Sequence, residues 1–142
     1  MYRLEAENFL LEFDPMVYET DLSFPLSMSL HLKVVSYGFS VDSMMDIDVY
    51  GLAGFAASLN RLYETLGGYA RLEGPYGDSY LEFTVCGRGH IHVKGSIYHH
   101  VNDCEHELTF ENEFDQTYLK CFAKSLFDDY KKDVRISYLY DE

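Results

Sequence analysis

The side chains best suited to chemistry fall between positions 90 and 106: His90 and His92 two apart, His99 and His100 side by side, then Cys104 and His106. Alternate residues of a strand share a face, so His90 and His92 present two imidazoles on one side, as a transition-metal site requires, and Cys104 offers a soft third ligand. The cluster lacks the CxxC or HExxH spacing that specifies such a site. The plainer reading is a solvent-facing strand in which His90, His92 and Lys94 lie opposite Glu105, Glu107 and Glu111 and pair with them by charge. Two carboxylate pairs, Asp46/Asp48 and Glu105/Glu107, have the composition for acid–base work or for holding a divalent ion. The start of a helix explains the first pair more simply, and an exposed strand face the second. Cys121 falls among apolar helix positions and reads as a small buried hydrophobe rather than a nucleophile. No Walker, Rossmann, zincin or nucleophile-elbow pattern is present, and Gly87-Arg88-Gly89 leads into a strand, not into the helix a phosphate loop needs. The sequence therefore offers no catalytic residues, no cofactor site and, beyond the weak His90/His92 pair, no metal site.

A different signal is broader. Asp103, Glu105, Glu107, Glu111, Glu113 and Asp115 place six carboxylates in one short stretch of a chain that holds 24 acidic against 11 basic residues, for a formal charge of −13. Nucleic-acid binders carry the opposite excess, because Lys and Arg must displace phosphate counterions; direct nucleic-acid or anionic-membrane binding is excluded on this ground. A field of this sign accelerates encounter with a basic protein. Glu105, Glu107, Glu111, Glu113 and Asp115 are accordingly the candidate partner-binding residues, set against the bland alternative of a solvated face. A metal- or small-molecule-binding protein using the His90/His92 hairpin, and a self-associating structural domain, are the competing readings. The cysteines, Cys86, Cys104 and Cys121, are odd in number and irregular in spacing, which argues against a disulfide framework and for a reducing compartment. The N-terminus shows no basic region followed by an apolar run, and nothing approaches a membrane-spanning length, so a cytoplasmic protein is expected.

The elements that must position these residues read as follows. Phe9, Leu11 and Phe13 mark a strand that Asp14-Pro15 should end, and an irregular stretch from Met16 to Pro25 reads as a loop. Alternation returns over Ser27–Val35 and again from Tyr37 to Asp42. At Asp48 the period changes to three and four: Val49, Leu52, Phe55, Ala56, Leu59, Leu62, Tyr63 and Leu66 form one stripe, ended by Gly67-Gly68. Gly51 and Gly54 within it suggest close approach to that face. Strand-like runs follow over Tyr69–Glu73, Tyr80–Cys86, a segment carrying Ile91, Val93 and Ile97, and Cys104–Glu111, with turn signals between them. Asp115 caps a second helix from about Gln116, with Leu119, Phe122, Ala123, Leu126, Phe127 and Tyr130 as its stripe. The tail from Val134 to Tyr140 has the pattern of a further strand. Residues 1–142 are thus expected to form a single α+β domain: a curved antiparallel sheet of six to eight strands packed with two helices that bury Leu59, Leu62, Leu119, Phe122 and Leu126.

Three segments, DVYGLAGFAASLNRLYETLGGYARL, GHIHVKGSIY and LTFENEFDQTYLKCFAKSLFDDY, together resemble the WapI-like family of small bacterial immunity proteins. The likeness lies in a helix ending at Gly before a strand, a G-x-I-x-V-x-G strand, and an L-x-F strand that leads through Asp-Gln-Thr-x-Leu into a closing helix. Gly51-Leu52 stands where the family commonly has an acidic residue. The resemblance implies a cytoplasmic, non-catalytic protein that occludes a toxin domain, often a nuclease. An acidic domain without a cofactor suits that task, since it can cover a basic RNA- or DNA-binding cleft. The resemblance carries over no contact residue, because immunity surfaces diverge with their toxins.

Overall fold

Alternating apolar residues need a second apolar layer, and here two sheets and two helices supply it to one another. A computed structural model describes residues 1–17 and 28–135. Its strands are β1 (Tyr2–Glu5), β2 (Phe9–Val17), β3 (Met28–Ser36) and β4 (Phe39–Ile47), then β5 (Tyr69–Glu73), β6 (Tyr80–Cys86), β7 (His90–Val101) and β8 (Cys104–Asp115). Helix α1 (Val49–Thr65) joins the two groups, and α2 (Lys120–Tyr130) follows the last strand. The protein is α+β with every strand pair antiparallel, and the eight strands divide into two four-stranded meanders, β1-β2-β3-β4 and β5-β6-β7-β8.

One continuous core lies between the layers. The first sheet contributes Phe9, Leu11, Phe13, Leu30, Leu32 and Val34; the second contributes Leu81, Phe83, Ile91, Val93 and Phe110. Leu59 and Leu62 of α1, and Leu119, Phe122 and Leu126 at α2, are buried as expected. Asp48 caps α1, its carboxylate accepting the Gly51 N–H at 2.6 Å. A Cβ on Gly51 would stand 2.8 Å from that carboxylate oxygen, so the close approach the sequence suggested is the helix's own cap. At the other end the left-handed residue is Leu66 (φ 53°), ahead of the expected Gly67-Gly68, and its N–H donates to Leu62 O at 2.8 Å.

Some boundaries differ from expectation. β1 was not legible, being only four residues long. Pro15 does not end β2, which continues to Val17; β1 pairs only with Leu10–Phe13, so Pro15 lies where that edge of β2 is open and its missing N–H is tolerated. Tyr37-Gly38 is the turn between β3 and β4 rather than part of a strand, and β4 runs on to Ile47. Most of the Met16–Pro25 loop and most of the Val134–Tyr140 strand lie outside the described residues. Cys121 is exposed, not buried, because the inward stripe of α2 runs through Phe122, Ala123 and Leu126.

Two core details hold the second sheet in place. Gly95, the last glycine of the G-x-I-x-V-x-G strand, pairs with Phe110 across β7–β8, and a Cβ there would meet Tyr80 O at 2.6 Å and the Phe110 ring at 2.8 Å. The glycine is needed because backbone and ring occupy its side-chain space. Asn112 is the polar exception on the inner face of β8: 8% exposed, its amide Nδ2 donates to Asn8 O and to Ser36 Oγ, both at 2.9 Å, tying the second sheet to two turns of the first. Gly95→Ala is expected to cost about 2–3 kcal/mol, read as a lower urea midpoint at unchanged slope. Asn112→Leu, which keeps the branching but neither amide group, is expected to cost about 1–3 kcal/mol because Ser36 Oγ loses its donor and the Glu113 N–H its acceptor.

Candidate acidic interface

The five candidate carboxylates, with His90 and His92, lie on the outer face of the second sheet. Because Phe110, Asn112 and Phe114 of β8 turn inward, Glu105, Glu107, Glu111, Glu113 and Asp115 all turn outward, and all five are exposed. They line an edge strand, and ten residues of strand spread them over about 33 Å, which makes a charged stripe rather than a single site. The basic side chains of this face sit further into the sheet. His90 Nδ1 is 2.9 Å from Glu113 Oε1, His92 Nε2 is 3.2 Å from Glu111, and Lys94 is 3.5 Å from Glu82. Arg71 reaches Glu73 and Glu82 and lies 4.1 Å over the Tyr80 ring. Tyr98 donates its hydroxyl to Glu105 at 3.0 Å. Exposed pairs of this kind are each worth about 1 kcal/mol or less, so they organise the face more than they stabilise the fold.

The register corrects the expected pairing. His90, His92 and Lys94 stand opposite Asp115, Glu113 and Glu111, whereas Glu105 and Glu107 face His100 and Tyr98. The histidine-rich segment does not act as one cluster either. His90, His92 and His100 point outward by alternation, while His99 and His106 pair at the hairpin tip and line a cavity of about 390 Å³ beside Ser43 and Leu108. Cys104 pairs with Val101 at the far end of the hairpin from His90. His90 and His92 engage two different carboxylates, and among the described residues no group of three or more His, Cys, Asp or Glu is arranged to hold a metal ion.

Sequence reasoning missed one constellation. Cys86 pairs across the β6–β7 turn with His90, and its thiol lies 3.4 Å from the same Glu113 oxygen that His90 contacts. Cysteine, histidine and carboxylate together suggest a nucleophile, but burial and the hydrogen bond to Glu113 push the Cys86 thiol up, away from the thiolate that such chemistry needs. Glu113 moves the other way: hydrogen bonds from His90 and from Cys86 hold its carboxyl below the usual range. Asp115 is also held low, by the Thr117 N–H that it accepts at 2.9 Å as the cap of the turn leading into α2.

The family model of the WapI-like immunity proteins matches residues 7–132. The chain belongs to the WapI-like immunity protein family. The match runs from the β1–β2 turn to just past the end of α2, so it takes in every strand but β1 and the whole acidic stripe. Membership implies a toxin-neutralising role with a toxin as partner, and immunity families are generally non-catalytic. A search of curated proteins finds no match to this chain. No helix among the described residues is long and apolar enough to cross a membrane.

The depressed carboxyls make a pH prediction. Groups held below their unfolded values stabilise the fold above about pH 4.5 and lose that contribution as pH falls through the folded values. Urea midpoints at pH 7 and pH 3 should show a smaller acid loss in the Glu113→Gln, Asp115→Asn double variant than in the parent. Equal losses would mean that these two groups carry no part of the acid sensitivity.

Proposed function

We propose that this immunity protein is a cytoplasmic, non-catalytic inhibitor that blocks a basic toxin domain, a nuclease, by laying the β8 carboxylates over it. The observation that carries the reading is the outward row of Glu105, Glu107, Glu111, Glu113 and Asp115 on a member of an immunity family. A nuclease must present cations to bind a phosphate backbone, and those cations are what a chain of net charge −13 attracts. The partner would then be held where its substrate enters, and inhibition needs no chemistry from the inhibitor. The Cys86 thiol, kept protonated beside Glu113, adds none.

The test is binding to the toxin domain that this protein retains from a lysate of its source at low salt. Affinity should fall steeply between 50 and 500 mM salt, and Glu105→Lys, Glu107→Lys, Glu111→Lys together should weaken binding at least about tenfold, mainly through the association rate. Affinity indifferent to both salt and charge reversal would sink the electrostatic reading.

A further inference from the structure

At its Glu113 end the acidic stripe runs into a concavity. A cleft of about 500 Å³ is lined by Glu7, Asn8, Tyr37, Glu113, Asp115 and Tyr118 among others. Four separate segments build it: the β1–β2 turn, the β3–β4 turn, the start of β7 at His90, and the end of β8 with the turn that follows. Its floor is fixed in advance. Asn8 O accepts from both Asn112 Nδ2 (2.9 Å) and the Tyr37 N–H (3.1 Å), and Asn112 Nδ2 also donates to Ser36 Oγ, so the two turns and β8 are held by one polar network.

Tyr37 stands first in the β3–β4 turn. Its backbone is left-handed (φ 56°), a region that disfavours bulky side chains, and the residue is 66% exposed. A glycine would make the same turn with less strain. Residues held in sparsely populated backbone regions cluster at functional sites. Tyr118, 46% exposed, lines the same cleft. Two exposed tyrosines with Glu7, Glu113 and Asp115 form a lining that is aromatic and anionic; its one basic side chain, His90, is bonded to Glu113.

We propose that this cleft is the anchor point of the interface and receives an arginine side chain from the toxin's basic surface; the inference rests on the immunity reading above. Guanidinium is the cation that suits such a lining, because it stacks on aromatic faces and donates in a planar fork to carboxylates, which an ammonium does not. The outer face of the same sheet already shows the pairing, with Arg71 over the Tyr80 ring. Tyrosine is enriched among interface hot spots because it supplies a large, rigid contact at low entropic cost. The stripe from Glu105 to Glu111 would then steer the partner, and the cleft would hold it.

The experiment uses the full chain with Tyr37→Gly and Tyr118→Ala, singly and together. Tyr37→Gly should leave the thermal midpoint unchanged or raised, while weakening affinity for the toxin domain at least about tenfold, mostly in the dissociation rate. A double variant that binds the toxin domain as tightly as the parent overturns the cleft and leaves the immunity reading standing. In parallel, acetyl-Gly-Arg-Gly-amide is titrated into the isotope-labelled protein against the lysine analogue. Amide shifts confined to Asn8, Tyr37, Glu113, Asp115 and their neighbours, larger for arginine than for lysine, support the proposal. Shifts spread along the acidic stripe, equal shifts for the two peptides, or none, overturn it, whether or not the toxin domain binds.

Discussion

Four phenylalanines stand where both sheets and both helices meet, and the rest of the structure depends on that meeting. Phe13 of β2 packs against Phe55 of α1 at 6.2 Å between ring centres and edge-on to Phe122 of α2 at 5.3 Å; Phe55 in turn lies 5.9 Å from Phe83 of β6. Each sheet has one apolar face, and neither can bury it without the other sheet and the helices. Ring pairs of this kind add about 0.5–1.5 kcal/mol each beyond the area they bury. A second set, Phe9 between Phe110 and Phe114, joins β2 to β8 with the Phe9 and Phe114 rings nearly parallel. Once the inward residues of β8 are committed to that contact, strand alternation leaves its carboxylates no direction but outward.

That division explains why the acidic stripe is an edge feature. On the outer face of the second sheet the cations Arg71 and Lys94 and the imidazoles of His90 and His92 sit on β5 and β7, and they are matched by Glu73, Glu82, Glu111 and Glu113. The surplus of acid lies along β8, beyond the last row of cations. An edge strand presents unpaired backbone groups that invite another strand, and charge on it discourages that pairing. Carboxylates along β8 are thus of the kind that discourages another strand from adding to this edge.

Most of this was legible in the residues because periodicity reports burial. The 3.6-residue stripe from Val49 to Leu62 and the alternation of Leu81, Phe83, Ile91 and Val93 gave the helix, the meander and much of the core directly. Features set by three-dimensional register were not legible. Nothing local says that His90 meets Asp115 and Glu113 rather than Glu105, since the β7–β8 turn at Asn102-Asp103 sets that register. Pro15 looked like a strand end because local rules ignore that its neighbour β1 stops at Tyr2 opposite Phe13. The division into two sheets is likewise a property of how α1 crosses between them. One signal was present and overlooked: in Phe110-x-Asn112-x-Phe114 a polar residue holds an inward position, and a buried amide has to be satisfied by something across the core.

The grouping of Cys86, His90 and Glu113 tests whether this face reacts or is recognised. In a nucleophilic site the base takes the thiol's proton, so the thiolate must be the favoured form and the carboxylate must act behind the histidine. Here the carboxylate contacts thiol and imidazole directly, and its negative charge, together with burial, favours the protonated thiol. The proton balance runs against nucleophilic attack. What the arrangement does achieve is to fix Glu113, which accepts from two donors on neighbouring strands and is held ionised at the mouth of the Tyr37 cleft. A carboxylate fixed in both position and charge serves recognition of a cation, because its order is established before the partner arrives.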